Sequence, residues 1–79
     1  MFMKCHVAME GPGPSEMIVK VTTNDGDMEV IVDVDSVSDR KLLIVEQIFR
    51  KNGSTLVELP RESTSGRTRV WVPTAEMVA

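Results

Sequence analysis

The sequence predicts a small all-β domain, and three observations carry that reading. Apolar residues recur at every second position through Met17, Val19 and Val21 and again through Met28, Val30, Val32 and Val34, the spacing that turns one face of a strand into a core. Asp25-Gly26 and Asn52-Gly53 fall between apolar runs, where a two-residue hairpin turn needs residues that accept positive φ. Pro60 and Pro73 stop the two later runs, because proline cannot donate to a strand ladder.

Residues 1 to 15 end in Glu10-Gly11-Pro12-Gly13-Pro14-Ser15, a stretch with few backbone donors and little to bury, and are expected to form a flexible tail ahead of one domain over 16–79. With Asp25-Gly26 as a type I′ turn, the first hairpin sets Val21 opposite Val30, Val19 opposite Val32 and Met17 opposite Val34. The segment Ser38 to Asn52 supports two readings. As a strand it offers apolar residues on both faces, many of them β-branched, and pairs through Asn52-Gly53 with Thr55 to Leu59, placing Ile48 against Val57 and Phe49 against Leu56. As a helix it has Ser38 or Asp39 to cap it, Leu42, Val45, Ile48 and Phe49 on one face and Gly53 to end it, which would make the fold an α+β ββαββ sandwich; the strand reading is favoured. Arg61 to Arg67 is a polar loop, and Thr68 to Val72 a strand that brings Val72 to Val57 and Val70 to Leu59. The tail after Pro73 has room for one helical turn and a last short strand. No internal repeat is apparent.

Seventy-nine residues, 42% hydrophobic and 27% charged with a net charge of −3, make one small soluble domain. A chain of this length buries only about 60% of the surface its unfolded form exposes, so oligomerisation is expected. With a single cysteine and a single histidine, adjacent at Cys5-His6, neither a disulfide nor a structural zinc site can be built within one chain, which points to the reducing cytoplasm. The first eight residues hold no apolar run of signal-peptide length, and no stretch approaches the 18 or more apolar residues of a membrane span.

Val70-Trp71-Val72-Pro73-Thr74-Ala75-Glu76-Met77-Val78 resembles the end of SH3-like barrels, where a penultimate strand runs into proline, a short 3₁₀ turn and a final valine-bearing strand. The resemblance covers nine residues and implies a five-stranded SH3-like barrel. In peptide-binding SH3 domains the proline and a nearby aromatic line the ligand groove; Pro73 matches, but Met77 stands where tyrosine is usual and the chain has no tyrosine. An aromatic-lined groove for proline-rich peptides is therefore not expected. The type II dihydrofolate reductases are SH3-like chains of similar size with Val-Gln-Ile-Tyr before the corresponding proline. Arg69-Val70-Trp71-Val72 has neither the Gln nor the Tyr, so that activity is not implied.

No catalytic residues, cofactor or metal are assigned. Cys5-His6 sits in the expected tail, where neither geometry nor pKa could be held for nucleophilic chemistry. Asn24, Asp25, Asp27 and Glu29 gather oxygen ligands at a turn but lack the spacing of an EF-hand loop; turn geometry explains Asp-Gly without calcium. Charge is divided by halves: residues 1–39 carry net −6 and residues 40–79 net +3. Arg50, Lys51, Arg61, Arg67 and Arg69 are candidate contacts for nucleic-acid phosphate, although overall acidity and scarce aromatics count against that use. The alternatives are that the two halves complement each other across a subunit contact or merely keep the surface soluble. If Val70 and Val72 face the core, Trp71 turns outward beside Arg69 and opposite Glu58, and tryptophan and arginine are the residue types enriched at interface hot spots. The expectation is a non-catalytic module that self-associates or docks on a protein through Trp71, Arg69 and Glu58. A nucleic-acid-binding barrel, and an oligomeric small-ligand binder or enzyme with a site at a subunit interface, are the alternatives.

Overall fold

Two long extended stretches run through the centre of the molecule side by side, and each changes sheets midway. The computed structural model describes residues 1–78. The first stretch is β1 (Phe2–Lys4) and β2 (His6–Glu10), joined at Cys5; the second is β6 (Leu42–Ile44) and β7 (Glu46–Lys51), joined at Val45. β1 and β6 pair antiparallel with Met3 opposite Leu43, and the ladder continues past both junctions through Cys5 N–H to the Lys41 carbonyl and Val45 N–H to the Met1 carbonyl, both 2.9 Å.

The remaining strands are β3 (Glu16–Thr23), β4 (Gly26–Asp33), β5 (Val37–Ser38), β8 (Ser54–Glu58), β9 (Arg69–Pro73) and β10 (Met77–Val78), with 3₁₀ turns at Val34–Ser36 and Thr74–Glu76. They form three antiparallel sheets: a central one in the order β10-β1-β6-β5, a second of β2-β3-β4 and a third of β7-β8-β9. The all-β class is as expected, and 38–52 is strand rather than helix, with a turn at Asp39-Arg40. No sheet closes on itself among the described residues. Residues 2–10, expected in a flexible tail, instead supply two strands, and Met3 and Cys5 lie in the core. The physical reason is that β1 completes the central sheet between β6 and β10, which leaves Met3 fully buried.

The architecture is an internal repeat that the sequence pattern did not reveal. β1, β2, the turn at 34–36 and β5 recur forty residues on as β6, β7, the turn at 74–76 and β10. β3 recurs as β8 at an offset of thirty-eight, because the linker over 11–15 is replaced by the tight Asn52-Gly53 turn. Pairings repeat with the elements: Phe2 opposite Val78 matches Leu42 opposite Ser38, and the bulge between Val7 and Met9 matches that between Gln47 and Phe49. The core obeys the same rule, its twelve buried apolar residues falling into six equivalent pairs: Met3 and Leu43, Cys5 and Val45, Val19 and Val57, Val21 and Leu59, Val30 and Val70, Val32 and Val72. In the central sheet each repeat lends its last short strand to the other, β10 pairing with β1 and β5 with β6, so neither repeat closes its core alone.

Three registers differ from expectation. The first hairpin sets Val19 opposite Val30, Val21 opposite Met28 and Met17 opposite Val32, two residues from the expected pairing. Asn24 and Asp25 are the turn residues, and Gly26 alone takes positive φ, +105°; the Thr23 hydroxyl accepts from Asp25 N–H and donates to the Gly26 carbonyl. This is a type I turn closed by glycine, which spares Asp25 the left-handed conformation a type I′ turn would impose. Val57 likewise pairs with Val70 and Thr55 with Val72, again a shift of two. Here Ser63 reaches across to pair with Val30 and draws the 60–67 loop onto the first repeat. The Asn52-Gly53 turn and Phe49 opposite Leu56 are as expected, with both turn residues at positive φ; Val57, however, meets Gln47, because Ile48 is looped out in the bulge.

Candidate interaction face

Alternation along the third sheet decides what its outer face displays. Thr55, Val57, Val70 and Val72 point into the core, so Leu56, Glu58, Arg69 and Trp71 point away from it. The shifted register places Trp71 opposite Leu56, not opposite Glu58, and Leu56 in turn lies opposite Phe49. The result is one apolar row across three strands: Phe49 is 55% exposed, Trp71 38% and Leu56 half-buried between them. The two aromatic rings meet edge to face at 6.3 Å between centroids, a favourable arrangement of their quadrupoles. Glu58, one row along, faces Arg69, whose Nε donates to Glu58 Oε1 at 3.0 Å. The three residues singled out from the sequence therefore share one face, and Phe49 and Leu56, which complete it, were missed as site residues. The signal that could have found them was their placement on the outward side of β7 and β8.

The five candidate phosphate contacts do not converge. Arg50 and Lys51 lie at the end of β7 that pairs with Thr55 and Ser54, whereas Arg69 pairs at the far end of β8, four residues or roughly 13 Å away. Arg61 bonds to Glu16 and stands 3.6 Å from Asp33; these two acids and the hydrogen bond hold its guanidinium pKa above the ordinary value. Arg67 reaches Asp25 at 3.3 Å. Three of the five are thus engaged by carboxylates. The acidic and basic halves meet within the chain, Arg61 and Arg67 of the second repeat pairing with Glu16, Asp33 and Asp25 of the first. Such exposed pairs contribute little to stability individually; they neutralise charge that a phosphate backbone would need.

Cys5 and His6 are separated by strand alternation: the thiol is buried and the imidazole exposed. Burial raises the thiol pKa, the opposite of what a nucleophilic cysteine requires. At the turn near Asn24, the Asp27 carboxylate accepts from the Thr22 hydroxyl and Asp25 is held by Arg67. Two clefts of about 510 and 480 Å³ flank the junctions at equivalent places in the repeats. Glu46 and Glu58 line the first, and Lys4, Lys41 and Glu76 the second, so the first is lined by acids and the second by both signs. No protein-family model, curated protein or solved structure matches the chain.

Proposed function

We propose that the protein is a non-catalytic interaction module, working in the reducing cytoplasm, that self-associates through the outer face of its third sheet. The observation that carries this reading is the exposed row Phe49, Leu56 and Trp71. A chain of 79 residues has little surplus stability, and leaving two aromatic rings against water wastes apolar area that association would bury. The Glu58–Arg69 pair beside the row supplies the polar rim that fixes orientation in protein contacts. Nucleic-acid binding through the basic second half is the weaker reading, since Arg61, Arg67 and Arg69 already have carboxylate partners.

Light scattering over a concentration series tests the proposal. The wild-type mass should exceed the 8.8 kDa of one chain and rise with concentration, and Trp71→Ala should return it to the single-chain value while leaving the circular dichroism spectrum unchanged. A wild-type mass of one chain throughout the series, or a Trp71→Ala variant that keeps the wild-type mass, would overturn it.

A further inference from the structure

One short turn joins the two repeats. It runs through Asp39 and Arg40 between β5 and β6, with Ser38 opposite Leu42 and Lys41 N–H donating to the Ser38 carbonyl at 3.1 Å. Both Asp39 and Arg40 take positive φ, +53° and +61°, a left-handed backbone that brings Cβ against the following carbonyl oxygen. The other tight turns place suitable residues there: Gly26, Gly53 and Gly66 have positive φ, and Asn52 precedes Gly53. Among the described residues Arg40 alone has positive φ without being glycine, asparagine or aspartate, the types that accept it. The strained residue thus stands at the junction of the two halves.

Opening this turn lets β5 run straight into β6, and no core contact is lost if each half finds its complement in a second copy. The core lies between the repeats: Met3 faces Leu43, β10 completes β1, and β5 completes β6. The corresponding half of another chain offers the same surface, so two chains that exchange halves make two bodies with the pairings of the closed chain. Only the hinge differs. Continuing the Ser38–Leu42 register through the straightened segment sets Asp39 of each chain opposite Lys41 of the other, a pairing of opposite charges. Arg40 then meets its own copy on the two-fold axis, where like charges oppose the exchange. That repulsion is between exposed side chains and is screened by salt, whereas the left-handed strain of the closed turn is not.

We infer that two copies of the chain exchange halves about a hinge at residues 39–41, the first repeat of each folding against the second repeat of the other. The exchange is symmetric and closes at a dimer. It is independent of the outer face of the third sheet and differs from association through that face in its kinetics. Undoing it separates both cores, so the dimer persists on dilution for as long as the fold itself. A chain folding in dilute solution closes on itself, because its own second half is present at the higher effective concentration.

Refolding from urea at high and at low protein concentration tests this, in a Trp71→Ala chain so that the face proposed above does not contribute. Concentrated refolding should give a dimer that survives dilution, and dilute refolding should give single chains. Two further substitutions in that chain read the turn. Arg40→Gly makes it Asp-Gly, the sequence a two-residue type I′ turn favours, and Arg40→Val installs a β-branched residue that suits the extended hinge. Both remove the axial charge, so the contrast between them isolates the turn. After concentrated refolding the dimer-to-monomer ratio of Arg40→Val should exceed that of Arg40→Gly by roughly tenfold or more, since only valine meets the left-handed penalty in the closed form. Single chains alone after concentrated refolding, a dimer that dissociates on dilution, or equal ratios for the two variants overturns the exchange.

Discussion

Met3 is a measure of how far a residue's neighbours in space outweigh its neighbours in sequence. It stands two residues from the end of the sequence, ahead of a run rich in glycine and proline, yet it is fully buried opposite Leu43 at the centre of the molecule. Met3→Ala should therefore destabilise the fold by about 2–5 kcal/mol, the range for truncating a large apolar side chain in a core, measured by urea unfolding; a residue in a loose tail would tolerate the change at no cost. Cys5 has a separate signature. Its folded-state pKa is raised by burial, so below the ordinary thiol pKa of about 8.5 both states keep the proton and pH has no leverage through this group. Above it the unfolded chain ionises first and stability falls, until the folded thiol also ionises. Cys5→Val, which installs the residue found at the equivalent Val45, should remove that alkaline decline; an unchanged slope between pH 8 and 10 on the urea midpoint would exclude Cys5 as its source.

At the scale of the element, the strands after the Gly-Pro segment were legible and so was the pairing at the Asn52-Gly53 turn, but the β3–β4 and β8–β9 registers were not. A period-two pattern specifies which side chains face the core, and a slip of two residues leaves that partition unchanged. Val19, Val21, Val30 and Val32 are buried in the observed pairing and would share a face equally well in the expected one. The choice falls to the turn, where the hydroxyl of Thr23 and the glycine at 26 favour a type I turn over the type I′ turn that Asp25-Gly26 suggests. The same degeneracy moved Val57 from Val72 to Val70 and carried Trp71 from Glu58 to Leu56. Gly26→Ala should consequently cost about 1 kcal/mol or more, since Gly26 takes positive φ, while Asp25→Gly should bring no gain. A stabilising Asp25→Gly in thermal melts would instead place Asp25 in the left-handed region and restore the other register.

At the scale of the whole molecule, the fold is two copies of one unit exchanging their short last strands. Only Val19, Gly26, Val30 and Val32 recur as the same residue at their counterparts Val57, Gly66, Val70 and Val72, which is why inspection of the sequence finds no repeat. Burial constrains the inward positions to be apolar without dictating which apolar residue, and leaves the outward positions free to change sign, as Lys20 and Glu58 do. Changes of two residues in the connecting loops further break the alignment. The repeat makes a strong prediction about connectivity. Phe2 pairs with Val78 as Leu42 pairs with Ser38, so Val78 and Phe2 lie where Ser38 and Leu42 flank the Asp39-Arg40 turn in the other half. A circular permutant with Ala79 joined to Met1 through one glycine, and new ends opened between Asp39 and Arg40, should fold to the same circular dichroism spectrum and cooperative melt. A molten or unfolded product would show that the two ends are not interchangeable.

What the residues determined alone was the all-β class, the β3–β4 hairpin, β8 and β9 with the faces that meet the core, and the Asn52-Gly53 turn. These follow from alternation and local φ preference, both readable within a few positions of one another. Tertiary structure decided the registers, the recruitment of residues 2–10, and the meeting of the acidic and basic halves. Apart from the registers, which the turns and the 60–67 loop set, these depend on contacts between segments distant in the sequence, and the free energy of such contacts comes from burying surfaces that exist only once both segments are in place.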